Sequence, residues 1–329
     1  MTGIFKQKNP ANLLFLLLGG ILLKLPMFTE PKQPVARDAD GILYRGILHV
    51  LEPAGKAMPL FFPILCFAFL FIQAIVLTRF INNQRMMTKP SYLPGMAYLL
   101  LTSLMPEWNV FSAPLLINSI LLFILSNLFS IYNQPNAKGA IFNIGVALGL
   151  ASFLLISSLT FIVWILLALA IMRPFRLNEW MICLLGITTP FYFYAIYTVM
   201  DGVWNWQEFV PHITLGMPSL KQSVWLAGSL SLILIPFLSG GYYVQENLRR
   251  MLINVRKGWS LLLLYLLAAL LLPFVNTSET FENWIMAIVP MAAFHSCTYF
   301  YSNWRFYPTL LFWGTVAFVI AYQQVGPGW

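Results

Sequence analysis

Two carboxylates, Asp38 and Asp40, stand one residue apart in the stretch Arg37-Asp38-Ala39-Asp40-Gly41-Ile42-Leu43-Tyr44-Arg45. A carboxylate held where water meets an apolar wall can take a proton from an attacking hydroxyl, or ligate a divalent metal that grips a phosphate. These are the candidate catalytic residues; the structural alternative is that one of them caps the helix that starts just after them. Lys24, Arg45 and His49 carry the charge and donors that would hold an anionic substrate group, and Trp204, Trp206 and His212 supply flat faces and a donor suited to sugar rings or lipid headgroups. Each of these also has a simpler role. Lys24 can snorkel to the headgroups along its apolar stem, and the tryptophans fit an interfacial aromatic belt.

No other chemistry is signalled as clearly. His49, His212 and His295 are isolated in sequence and lack the spacing of a zinc motif. A divalent metal therefore stays open as a cofactor without a motif to hold it. There is no GxxxxGK[ST], GxGxxG or GxSxG, which argues against ATP-driven pumping, dinucleotide chemistry and a serine-hydrolase elbow. The three cysteines form no CxxC; Cys66 and Cys183 sit inside apolar runs.

The elements that must position these residues follow from composition. Of 329 residues, 59% are hydrophobic and 9% are charged, against roughly 25% charged in an ordinary soluble domain. Such a chain cannot clothe itself in charge, so lipid is the expected solvent. The net charge of +8 would suggest nucleic acid in a soluble protein, but here the basic residues lie in short loops and read as topology signals, so no nucleic-acid partner is expected.

Apolar runs of membrane length predict about eleven spans in an all-α, polytopic transmembrane bundle: 12–28, 58–80, 93–105, 113–132, 141–157, 159–172, 180–200, 224–238, 259–275, 284–301 and 307–322. Splitting 141–172 at Ser157-Ser158 as a hairpin returns Lys138 and Arg173 to one side. Thirteen of the nineteen basic residues then share that side, and nine of the eleven acids lie opposite. The positive-inside rule makes the basic side cytoplasmic, with the N-terminus there and the C-terminus periplasmic. Residues 1–329 read as one integral membrane domain with two larger outer loops, 29–57 and 201–223. An uncleaved first helix fits the N-terminus better than a signal peptide, since no small-residue cleavage site follows it.

Within the first outer loop, 39–51 predicts a short interfacial helix. Leu43, Ile47, Val50 and Leu51 fall on one face at 100° per residue, with Arg45, His49 and Glu52 on the other. Asp38 or Asp40 would cap it and Pro53 would help to end it.

A first helix, a long outer loop with acids and a surface helix, and then many spans joined by short hairpins together resemble the GT-C class of membrane glycosyltransferases. That resemblance covers about the N-terminal two-thirds. It implies a catalytic or metal-binding acid in the first outer loop, matched here by Asp38 and Asp40, and a polyprenyl-phosphate-linked sugar as donor. The opening Met1-Thr2-Gly3-Ile4-Phe5-Lys6 and its helix resemble a family of Bacteroidota integral membrane proteins, which implies a bacterial inner membrane. The expectation is a GT-C-like glycosyltransferase at the outer face, with membrane lipid as partner. The alternatives are a lipid or small-molecule transporter or flippase, for which Asn143, Gly145, Gly149 and Pro190 are the candidate midplane residues, and a non-catalytic scaffold.

Overall fold

The computed structural model describes residues 2–7, 9–202, 216, 223–275, 281–304 and 306–326. Among these residues the chain is all-helical, with one isolated β-bridge. The helices in order are α1 (Thr2–Phe5), α2 (Pro10–Leu23), α3 (Leu25–Thr29), α4 (Ile42–Ala57), α5 (Phe61–Asn83), α6 (Leu93–Thr102), α7 (Ala113–Ser130), α8 (Lys138–Leu154), α9 (Phe161–Met172), α10 (Leu177–Met200), α11 (Val224–Asn247), α12 (Ile253–Leu271), α13 (Ile288–Tyr301) and α14 (Phe306–Val325).

Six of them, α5, α7, α10, α11, α12 and α14, are long and apolar enough to cross a membrane, α11 and α12 with short 3-10 extensions. The reason is local: an uninterrupted apolar run surrounded by hydrocarbon must satisfy every backbone group within itself, and a helix does so. Shorter apolar helices lie between them, including α2, α6 and α8. At the centre, every residue of α6 is buried, as is the stretch from Ile288 to Tyr299 of α13. Around the outside, large apolar side chains are exposed, among them Leu185 and Phe193 on α10, Leu238 on α11 and Trp313 on α14. An apolar surface spread over several helices is stable only against lipid, and the chain is a membrane protein.

Contacts between loops sort into two ends. One end joins the segment before α4 to the last residue of α8, and links the segment before α7 and the turn before α9 to the stretch between α12 and α13. There Gly41 N donates to Leu154 O at 2.9 Å, the Trp108 indole to Phe281 O at 2.8 Å and Ser157 Oγ to Val275 O at 3.1 Å. Near it, the Gln323 amide of α14 donates to Leu23 O at 2.7 Å. The opposite end joins Tyr92 N to Phe5 O, Thr88 N to the Tyr301 hydroxyl, and Arg173 to the carbonyls of Ile131 and Gln134.

Helix α8 and the next helix are not one long rod. Leu155 is extended, with φ −154° and ψ 118°, and pairs with Asp40 in the isolated bridge before a 3-10 turn leads into α9. Gly41 makes this docking possible, because a Cβ there would lie 2.1 Å from Phe153 O. Close approach also explains Gly145, whose Cβ would meet Cys183 O at 2.3 Å where α8 crosses α10 at Gly186. Small residues let membrane helices approach in this way, so packing accounts for Gly145.

The peripheral helix differs from its expectation at both ends. It runs Ile42–Ala57 rather than 39–51, its N-cap is Gly41 with no side-chain cap, and Pro53 lies inside it. Proline lacks the N–H that would bond the carbonyl four residues back. That carbonyl belongs to His49, which is exposed, so the loss falls on the solvent side and the helix continues.

Candidate functional site

The turn that precedes α4 is closed by its own acid. Asp40 N donates to Arg37 O at 3.1 Å, and Asp40 Oδ2 accepts from Arg37 N at 2.8 Å. The carboxylate is thus committed to the turn and does not cap the helix, which corrects the capping role. Arg45, one turn into α4, folds back and donates to the carbonyls of Asp40, Arg37 and Asp38 at 3.1, 2.9 and 3.1 Å.

Distant segments then supply more charge. Arg37 Nη2 donates to Glu282 Oε1 at 2.6 Å, with the Glu282 side chain 14% exposed and that of Arg37 38% exposed. Glu282 stands on the 3-10 helix Phe281–Ala287, whose first carbonyl is held by Trp108. The residue before that tryptophan is Glu107, whose Oε2 is buried without a hydrogen-bond partner among the described residues. Tyr44 is buried beneath and donates its hydroxyl to Phe111 O at 3.0 Å.

Burial raises the Asp40 carboxyl above its ordinary range, against the downward pull of the Arg37 N–H and of the Arg37 and Arg45 guanidiniums. Burial pushes Glu282 up to about 7; Arg37 opposes the shift, while Asp40 and Glu107 add to it. The result is a pair of carboxyls, Asp40 and Glu282, whose proton affinities burial raises, in the direction that a general acid or base needs.

An apolar groove of about 900 Å³ begins two residues after Asp40. Ile42, Leu43, Ile47, Val50 and Leu51 of α4 form one wall, with α8 and α10 opposite through residues such as Phe153 and Phe193. The four residues assigned to the apolar face of the peripheral helix all line it. The face therefore looks into an open slot. Phe153 links the two regions, lining the groove while its carbonyl lies against Gly41.

No protein-family model, curated protein or solved structure matches this chain.

Of the residues singled out by sequence, Asp40 and Arg45 enter this cluster. Asp38 is exposed, and Arg45 touches it only through its main-chain oxygen. His49 is exposed on the outer face of α4. Lys24 does not snorkel: it is fully buried, and its ammonium donates to Asn109 Oδ1, whose amide in turn donates to Thr102 O and Met105 O. Pairing with a lipid phosphate is not open to it in this arrangement. Trp204, Trp206 and His212 lie outside the described residues, as do most of 201–223, Lys221 and Glu279. Among the described residues no three His, Cys, Asp or Glu side chains converge as metal ligands do, and Arg37 engages both Asp40 and Glu282.

Sequence reasoning passed over Arg37, Glu107 and Glu282 as site residues. One signal was present: both glutamates directly precede or nearly precede a tryptophan at a span boundary, in Glu107-Trp108 and Glu282-Asn283-Trp284. Trp108 ties its loop to Phe281 O, the residue before Glu282, and so brings the two acid-bearing segments together.

Proposed function

We propose that this protein is a membrane glycosyltransferase of GT-C-like architecture that takes its sugar from a polyprenyl-phosphate donor, with Asp40 as general base. The observation that carries this reading is the adjacency of a half-buried, charge-flanked carboxylate to an open apolar groove. A long lipid tail has a slot in which to lie, and its phosphate end then reaches a region holding two arginines and an acid with raised proton affinity. In the reaction, the acceptor hydroxyl oxygen bonds to the anomeric carbon and its proton passes to Asp40. The bond from that carbon to the phosphate oxygen breaks, and the polyprenyl phosphate leaves with the electron pair beside Arg45 and Arg37.

The same reading includes eleven crossings, a bacterial inner membrane, a cytoplasmic N-terminus and a periplasmic active face. In support, the two groups of loop contacts coincide with the two sides drawn from the basic residues. Single cysteines placed near Arg250 should react with impermeant reagent only after the membrane is opened, and those near Asp201 before. Reversed labelling would turn the topology over.

The direct test of the activity is transfer from a panel of lipid-linked sugars by the purified protein, beside Gly46→Leu. Gly46 lines the groove and a Cβ there meets nothing within 4 Å, so the leucine enters the slot without disturbing the backbone. Wild type should transfer from one donor class, and the variant should show a raised KM for the lipid donor with kcat little changed. No transfer across the panel, with lipid exchange between leaflets of protein-loaded vesicles, would favour the flippase reading. The observation on its side is Pro190 within α10, which lines the same groove.

A further inference from the structure

At the opposite end of the bundle from Asp40, a second cleft of about 520 Å³ opens between α11 and α12. Its inner walls are apolar, built from Phe237, Val244, Leu263 and Phe294, while Arg256 and Lys257 lie at its basic end. Arg249 and Arg250 are exposed on the 3-10 turn that joins the two helices, and Glu246 is the acid nearby in sequence. Lys257 is placed 5.1 Å from the Tyr132 ring centroid, and Arg256 is exposed.

Charge and shape together point to the kind of occupant. The cleft offers two cations at one end and, beyond them, an apolar slot walled by Phe237, Val244, Leu263 and one face of Trp259.

We infer that the cleft holds one anionic diacyl phospholipid. Its phosphate meets Arg256 and Lys257, and an acyl chain lies along Phe237, Val244 and Leu263. Charge complementarity selects the headgroup, since juxtamembrane basic residues attract anionic lipid. This site is separate from the groove at α4 and does not depend on the proposed reaction.

The experiment is native mass spectrometry of the full-length protein released from bilayers containing equal phosphatidylglycerol and phosphatidylcholine. Wild type should retain one phosphatidylglycerol in preference to phosphatidylcholine. Arg256→Gln with Lys257→Gln should reduce that preference about twenty-five-fold, from about fivefold per basic residue near the surface. Gly241→Leu supplies a second arm: Gly241 lines the cleft and a Cβ there meets nothing within 4 Å, so leucine blocks the acyl slot and should remove retained lipid of both kinds. Equal retention of the two lipids by wild type, or unchanged preference in the double variant, would overturn the proposal. So would displacement of the lipid by millimolar inorganic phosphate together with normal retention by Gly241→Leu, which would leave a simple anion site.

Discussion

Two arginine–carboxylate clusters lie at opposite ends of this bundle, and they are built differently. Arg173 meets Glu179 through two parallel bonds of 2.8 and 2.9 Å and gives its remaining donors to the carbonyls of Ile131 and Gln134, with both side chains under a tenth exposed. Arg37 meets Glu282 through the 2.6 Å ion pair, lies more than a third exposed, and shares its surroundings with Asp40 and Glu107. One cluster gives a single carboxylate a two-bond partner in Arg173 and a second, exposed arginine, Arg176, at 3.8 Å. The other sets Asp40 and Glu282 against Arg37, with the charge of Glu107 acting on Glu282, and leaves Glu107 Oε2 without a hydrogen-bond partner among the described residues. A satisfied pair of this kind fastens loops together, whereas a cluster with surplus carboxylate holds proton affinity that chemistry can use.

The largest effect that would sharpen this contrast is on stability at the fastening end. Arg173→Ala leaves the buried Glu179 with only the exposed Arg176, 3.8 Å away, and removing one partner of a buried pair typically costs about 3–5 kcal/mol. Unfolding of the purified variant should show that loss. Joint replacement of Arg173 by Met and Glu179 by Leu should recover most of it, because no lone charge remains. A single variant as stable as wild type would mean that the pair fastens nothing.

A smaller effect, opposite in character, is expected at Glu282. Its folded pKa of about 7 lies above the ordinary 4.5, so the folded state keeps a proton that the unfolded chain releases between those values. The stabilising contribution is full below about pH 4.5 and is lost as pH rises through about 7. Glu282→Gln abolishes the titration while keeping an acceptor for Arg37. Melting curves across pH 4 to 8 should show the variant gaining on wild type by up to about 3 kcal/mol at the alkaline end. Parallel pH profiles would mean that Glu282 carries no raised proton affinity.

The two clusters were unequally legible in the sequence. Arg173, Arg176 and Glu179 fall within seven residues of one another, across the short link from α9 into the first turn of α10. The contact between Arg37 and Glu282 spans 245 residues, and nothing local announces it. Lys24 was misplaced for the same reason, since its acceptor Asn109 lies 85 residues away, and a snorkelling side chain and a buried one have the same local sequence. Periodicity succeeded where the cause is local: the apolar face of α4 is the face that lines the groove. Pro53 failed as a stop signal because the carbonyl it orphans faces outward, a matter of orientation that tertiary packing decides. Asp38 and Asp40 were equivalent on paper and became distinct once the turn placed one carboxylate against Arg37 N and left the other exposed.

That distinction is open to the most direct measurement: transfer from a lipid-linked sugar by wild type, Asp38→Asn and Asp40→Asn, side by side and with melting temperatures recorded. Asparagine keeps the shape and still accepts from Arg37 N, so both variants should fold. Loss of a general base costs about 10²- to 10⁴-fold in rate. Asp40→Asn should show that loss in kcat and Asp38→Asn should stay within a few fold of wild type. Full activity in Asp40→Asn, or a loss confined to Asp38→Asn, would contradict the account.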